Sequence, residues 1–259
     1  RVVMTDSRPS LRAESTSAAG RPFVSFVIPA YNEAAEIGAT LVCLHEAARA
    51  EELTYEIVVV DDASTDDTAA LAAAAGARGV SVAHRQIAAT RNAGARAARG
   101  AWLFFVDADT HVPRRTLAKA LRVLEGDAAG GGCRVRFRGG TTLGYWLLLH
   151  LVQETLRLGR AGPGCFMYAT RVAFEACGGY DETYYAAEEV TLARGLRQQG
   201  RFVLLRSTVE TSGRKMRLYG FRELIGTLWR YVRQGDGALR SREGFELGYD
   251  GRRDGCRGV

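Results

Sequence analysis

The sequence predicts an α/β fold: a mainly parallel sheet with helices on both faces. Three observations carry this. Short, almost continuously apolar runs occur at Phe23–Ile28, Glu56–Val60 and Trp102–Val106, and such runs suit strands buried on both faces. Stretches of helical character separate them, which is the alternation expected of parallel strands joined by crossovers. Polar clusters follow three of the runs directly, at Pro29–Glu33, Asp61-Asp62 and Asp107–Asp109. Parallel sheets carry their ligands at those carboxyl ends.

The elements follow in order. The first strand, Phe23-Val24-Ser25-Phe26-Val27-Ile28, is stopped by Pro29, and a helix is predicted from about Glu33 to Ala50. The second strand, Glu56–Val60, ends in Asp61-Asp62, and Ser64 or Thr65 is placed to cap an Ala-rich helix that runs to Gly76. Gly79–Ala83 is a short third strand; Thr90–Arg99 is helical and closed by Gly100; the next strand covers 102–106. The second half is less regular. Arg134–Phe137 reads as a strand, Leu143–Leu158 as an apolar helix, Gly162-Pro163-Gly164-Cys165 as a loop, and Arg171–Cys177 as a short helix. Gly178–Asp181 reads as a turn, Val190–Gln199 as a helix and Phe202–Leu205 as a strand. Residues 1–21 have the composition of a flexible leader, and 214–259 that of a basic amphipathic helix with a mobile tail.

Composition narrows the function. The 259 residues are 47% hydrophobic and 25% charged, as in ordinary globular chains that bury a full core. The net charge of +6 is modest, and no nucleic-acid motif accompanies it, so a nucleic-acid partner is not expected. Five scattered cysteines with no C-x-x-C pair argue against a disulfide framework or zinc site and for a reducing, cytoplasmic setting. The first 20 residues lack the apolar core of a signal peptide. No run reaches the roughly 20 apolar residues that span a bilayer.

The most informative segment is Leu103-Phe104-Phe105-Val106-Asp107-Ala108-Asp109. A buried carboxylate is costly, so two of them closing an apolar strand imply a cation at a mouth. Carboxylates suit a hard divalent ion that also keeps phosphate ligands; Mg²⁺ and Mn²⁺ both fit. The plain alternative is a strand ending in a polar turn.

Further motifs carry a resemblance. Val27-Ile28-Pro29-Ala30-Tyr31-Asn32-Glu33 resembles the opening "VIPAYNE" of family 2 glycosyltransferases. Val59–Thr68 is similar to that family's second signature, Ala89-Thr90-Arg91-Asn92-Ala93-Gly94 to its "ARNxG" segment, and Asp107-Ala108-Asp109 to its D-x-D. Gly178-Gly179-Tyr180-Asp181-Glu182 and the later Glu188-Glu189 resemble its "GGFDE" and "ED" segments. The matches keep the family's order across residues 23–210. The resemblance implies a GT-A fold, with a nucleotide-sugar-binding half at 22–112 and an acceptor-binding half at 113–213, and a nucleotide-sugar donor, usually a UDP-sugar.

It also implies roles. Pro29, Ala30 and Tyr31 supply an edge and a ring for the base; Asp61, or else Asp62, accepts the uracil N–H; Glu33 touches the nucleotide or holds its own helix. Arg91 reaches base or diphosphate, or pairs with a neighbouring aspartate. Asp107 faces the ribose with Ala108 beside it, and Asp109 the metal; His111 either approaches that metal or lies at the surface. Glu189 is the general base and Glu188 the second candidate. The family usually has Asp at position 189, and the additional methylene of Glu moves the carboxylate by about a bond length. Pro163, Gly164 and Cys165 form a loop under sugar and acceptor, and Arg214 reaches the diphosphate. The acceptor is a small molecule or a lipid. The segment Met216–Val232 packs on the domain, forms a homodimer contact, or lies on an anionic bilayer as a peripheral membrane contact. A family 2 enzyme inverts the anomeric centre; a retaining GT-A enzyme and a non-catalytic nucleotide-sugar binder are the alternatives.

Overall fold

A computed structural model describes residues 24–138, 154 and 162–212. The leader at 1–21, the apolar helix at 143–158 (Glu154 apart) and the basic stretch with Arg214 lie outside the described residues. The chain order is β1 (Val24–Ala30), α1 (Ile37–Ala50), β2 (Tyr55–Asp62), α2 (Thr68–Ala74), β3 (Arg78–Val82), α3 (Ile87–Ala97), β4 (Trp102–Val106), β5 (Thr110–His111) and α4 (Arg114–Glu125). There follow β6 (Ala128–Arg138), β7 (Phe166–Thr170), α5 (Arg171–Ala176), α6 (Glu188–Gln199) and β8 (Arg201–Ser212).

The strands form one sheet in the order β3-β2-β1-β4-β7-β6-β8-β5. The first four are parallel, as the apolar runs predict. β7 then runs antiparallel between β4 and β6, β8 returns parallel to β6, and β5 closes the far edge antiparallel to β8. Side chains of successive strand residues point to opposite faces, and both faces are buried. Phe26, Ile28, Val59 and Phe104 meet Ile37, Leu41 and Leu44 of α1 and Leu117, Leu121 and Leu124 of α4 on one side. Val27, Val58, Val60 and Phe105 meet Ala88 and Ala95 of α3 and Leu192 and Leu196 of α6 on the other.

Several elements differ from expectation: α1 starts at Ile37 and not near Glu33, β8 runs on past Leu205 to Ser212, and β5, α4 and β7 have no counterpart among the expected elements. Three further differences have a visible cause. α3 starts three residues early because Gln86 is its cap: an extended residue whose side chain accepts the Ala89 N–H at 3.0 Å. α2 is not capped by Ser64 or Thr65. Ser64 Oγ accepts the Asn32 N–H, the Thr65 N–H goes to Asn32 Oδ1, and Asp66 Oδ1 accepts the Thr68 N–H at 3.0 Å. β6 begins six residues before Arg134, through Gly130-Gly131-Gly132, where glycine weakens a strand reading. The glycines are required by close approach: a Cβ on Gly130 would lie 2.5 Å from the Tyr168 carbonyl oxygen, and one on Gly131 2.0 Å from that of Val203. Cys43, Cys133, Cys165 and Cys177 are free thiols. Among the described residues no helix is long and apolar enough to cross a membrane.

Small residues let α3 sink onto the sheet. A Cβ on Gly94 would sit 2.3 Å from Val27 Cγ1 and 2.7 Å from Val60 Cγ2. Alanine there gains up to about 1 kcal/mol in helix propensity, but overpacking a stiff, branched wall costs about 1–3 kcal/mol. The clash wins: Gly94→Ala lowers Tm in a thermal melt by ~3–6 °C, and an unchanged Tm contradicts this packing.

Candidate active site

The loops after β1, β2, β3 and β4 and the first turn of α6 enclose a cavity of about 370 Å³. The parallel strands place three polar clusters side by side at their carboxyl ends, and the first turn of α6 adds a fourth to the lining.

At the β1 end, Pro29, Ala30, Tyr31 and Glu33 line the cavity. Asn32 between them holds the β2 loop through Ser64 and Thr65. The Tyr31 ring carries the Arg85 guanidinium 3.6 Å from its centroid, a cation–π stack that fixes both groups. At the β2 end the structure reverses the expected order of the aspartates. Asp62 lies in the lining, while Asp61 does not. The strand alternation turns Asp61 to the α1 face, where its Oδ1 is buried with no hydrogen-bond partner among the described residues. Asp62 accepts the Arg85 N–H (2.8 Å), the Gln86 N–H (3.2 Å) and the Thr90 hydroxyl (2.9 Å). A carboxylate offers about four acceptor positions, so one remains.

At the β4 end, Asp107, Ala108 and Asp109 all face the cavity. Asp109 Oδ1 accepts the Thr211 hydroxyl at 3.0 Å, and the Asp109 carbonyl accepts from Ser212 N and Arg138. The far strand β8 thus holds the D-x-D. His111 turns away: Arg138 donates to its ring and also to Glu36. Burial, and next the Arg138 charge, hold the His111 imidazole below its ordinary value. Gly164 and Cys165 form another wall, but Pro163 does not reach the cavity. Burial pushes the Cys165 thiol up, so it stays protonated and serves as packing.

Of the two readings of Arg91, the structure shows the pairing with an aspartate, Asp107. Its guanidinium is 3% exposed and committed to the protein: Nη1 donates to Glu188 Oε1 at 2.6 Å, Nη2 to Asp107 Oδ1 at 2.7 Å and to the Gly164 carbonyl at 3.0 Å. It orders the acidic groups around the cavity instead of offering its fork to a nucleotide.

Glu188 and Glu189 open α6, where the helix dipole favours anions. Arg91 neutralises Glu188. Glu189 is different: burial, and then the neighbouring Glu188 charge, push its carboxyl up to about 8, against the help of its own backbone N–H. A carboxyl so tuned holds or releases a proton near neutral pH. Gly164 packs beside it; a Cβ there would lie 3.4 Å from the Glu189 carboxyl carbon.

The cavity also takes in Arg85, Gln86, Ile87, Thr90 and the segment Tyr185–Ala187, which sequence reasoning missed. The first group follows β3, and the rule that points to the other strand ends would have pointed there too. The loops are tightly wound. Asn32, Ala63, Arg85 and Ala187 are all left-handed (φ 51°, 59°, 51° and 60°) without being glycine. Among the described residues no three His, Cys, Asp or Glu side chains form a metal cage by themselves.

Comparison with known proteins gives the family and the fold. A family profile described as "Glycosyl transferase family 2" matches residues 25–185. The succinoglycan biosynthesis protein ExoO of Rhizobium meliloti (strain 1021) is 41% identical over 114 residues. That match covers 42% of this chain and 31% of ExoO, under a third of the relative's length. The mannosyltransferase PcManGT from Pyrobaculum calidifontis, solved with GDP-Man and Mn²⁺, superposes with a TM-score of 0.66 at 21% identity, over 89% of this chain and 69% of that one. S. aureus TarS 1–349 with UDP-GlcNAc gives 0.58 at 18% identity, over 73% and 58%. Glucosyl-3-phosphoglycerate synthase from Mycobacterium tuberculosis, with Mn²⁺, UDP and glucosyl-3-phosphoglycerate, gives 0.57 at 20% identity, over 89% and 84%.

Two stability measurements check the electrostatics. Arg91→Met leaves Glu188 buried with no countercharge and should cost about 3–5 kcal/mol in urea unfolding; a loss within experimental error would remove Arg91 from its organising place. Glu189 binds its proton more tightly folded (about 8) than at the ordinary 4.5, so its contribution is full below about pH 4.5 and is lost as pH rises through 8. Glu189→Gln stays neutral throughout. Its Tm should therefore gain on the wild type progressively between pH 5 and 9, and a constant difference across that range speaks against the raised carboxyl.

Proposed function

The chain belongs to glycosyl transferase family 2 and has the GT-A fold, and from that premise we propose that it transfers a sugar from a UDP-sugar to an acceptor hydroxyl with inversion, dependent on a divalent metal and with Glu189 as base. The observation that carries this reading is a juxtaposition within one cavity. A ring and an acceptor (Tyr31, Asp62) lie at one end, two strand-end aspartates follow, and a carboxyl raised to about 8 faces them.

In this reading the base lies against Tyr31 with Arg85 behind the ring, and the remaining acceptor position of Asp62 takes the uracil N–H. Pro29 and Ala30 close the edge, and Glu33 borders the nucleotide. Asp107 takes a ribose hydroxyl. Asp109, with Asp107 beside it, supplies hard oxygen ligands of the kind Mg²⁺ or Mn²⁺ completes with phosphate oxygens and water. That donor set fits such an ion together with the oxygens of the diphosphate. When bound, the metal offsets charge on the departing UDP. Gly164 and Cys165 support the sugar. The Glu189 carboxylate accepts the acceptor's hydroxyl proton as that oxygen attacks the anomeric carbon opposite the leaving diphosphate. A positioned base of this kind contributes ~10²–10⁴-fold. The acceptor is a small molecule or a lipid bearing a hydroxyl.

The reading is checked by UDP release across a panel of nucleotide-sugars with Mn²⁺, Mg²⁺ or EDTA. Turnover should require UDP-sugar and metal, and NMR of the product should show the inverted anomer. In Glu189→Gln, turnover should fall by ~10²–10⁴-fold while UDP binds within a few-fold of wild type. In the wild type, kcat/KM should rise with pH through a midpoint near 8. Near-normal turnover in Glu189→Gln, or a retained anomer, removes the assignment.

A further inference from the structure

We infer that Gln86 is a positioning residue for the proposed transfer, stapling the segment that delivers Glu188 and Glu189 to the capped end of α3; this rests on the reading above. Gln86 is 7% exposed and its amide is fully used. Oε1 accepts the Ala89 N–H at 3.0 Å, which caps α3. Nε2 donates to the Glu182 carbonyl at 2.5 Å and to the Tyr184 carbonyl at 3.1 Å. A primary amide has two N–H donors and one carbonyl; here all three are engaged, so the amide has one workable orientation. The Gln86 backbone N–H in turn binds Asp62 Oδ2 at 3.2 Å. One residue therefore touches the carboxylate at the nucleobase end with its main chain and the route to the base with its side chain.

That route is short. Tyr184, held by Gln86, is followed by Tyr185, Ala186 and the left-handed Ala187, and then α6 opens with Glu188-Glu189. Asn92, on the same helix, fixes the preceding stretch by donating to the Tyr180 carbonyl (2.9 Å) and to Glu182 Oε1 (2.8 Å). Between Glu182 and the Arg91–Glu188 pair, the Gln86 amide at the cap of α3 holds the segment through the Tyr184 carbonyl. A displacement near 1 Å of a catalytic group is enough to lower turnover by ~10²-fold, whereas Asp62 at the nucleotide end is held by the backbone N–H groups of Arg85 and Gln86 and by the Thr90 hydroxyl, not by the Gln86 amide.

The isosteric variant separates staple from cap. Gln86→Glu at pH 8 retains an acceptor for the Ala89 N–H but loses both donors and sets an anion against two carbonyl oxygens. Gln86→Asn, an amide one methylene shorter, is measured alongside so that a misfolded charge variant does not decide the matter. In the ligand-free protein, amides of 182–190 should exchange with deuterium about tenfold faster or more in both variants, while those of 89–97 in Gln86→Glu stay protected. With the best nucleotide-sugar, kcat should fall at least about tenfold with the UDP Kd within about threefold. Unchanged exchange at 182–190 overturns the proposal, and so does a UDP Kd weakened in step with kcat, which would make Gln86 a nucleotide contact. If the wild type transfers no sugar at all, that failure falls on the glycosyltransfer reading, and the exchange data still judge the staple.

Discussion

The site depends on one buried guanidinium. Arg91 touches Asp107 from the D-x-D, Glu188 from α6 and the carbonyl of Gly164, so a single planar fork sets three chain segments relative to one another. Removing a cation from water costs several kcal/mol, and only paired charges with good geometry offset it. Two carboxylates at 2.6 and 2.7 Å provide that geometry. A lysine, with a point charge on a flexible stem, could not hold both partners at fixed angles. The same pairing makes the two glutamates unequal. Glu188 has its countercharge; Glu189, one residue on, has burial and a like-charged neighbour, and it is the one whose proton affinity rises.

The helix that carries Arg91 is placed by its small residues. Gly94 permits contact with Val27 and Val60 closer than any side chain allows, and Ala88 and Ala95 continue that flat face. Depth on the sheet then decides reach: Thr90 meets Asp62, Arg91 meets Asp107 and Glu188, and Asn92 meets Tyr180. Packing and site are thus one construction, in which alanine and glycine set how far the polar side chains extend.

Much of this was legible in the residues. Three of the four parallel strands and their polar ends followed from apolar runs, because burial on both faces leaves a plain signature; β3, only partly buried, lacks it. The D-x-D stood out for the same reason, since carboxylates that close an apolar strand need an explanation, whereas the acidic pair at 188–189 was found through its resemblance to the family's "ED" segment. What escaped depended on partners distant in sequence. Asp61 and Asp62 look alike until pairing with β1 decides which faces the cavity. For Arg91 the sequence left a ligand contact and an aspartate pair both open, and gave no sign of its further partners Gly164 and Glu188. Gly130-Gly131-Gly132 reads as anything but a strand until Tyr168 and Val203 crowd it. Gln86 carried no local signal for its two carbonyl partners, which lie almost a hundred residues on.

The four left-handed residues at the mouth have a consequence for how such a protein could evolve or be engineered. For a residue with a Cβ this conformation costs about 1–2 kcal/mol, so Ala63 and Ala187 are positions where glycine would relieve local strain. Glycine would also free the backbone on the loops whose geometry aims the acidic groups. Thermal robustness and turnover are therefore opposed at the rim of this cavity, a trade-off seen where active sites hold strained backbone. Gains in heat tolerance that leave chemistry untouched are to be sought on the far side of the sheet, along α1 and α4, whose residues do not line the cavity.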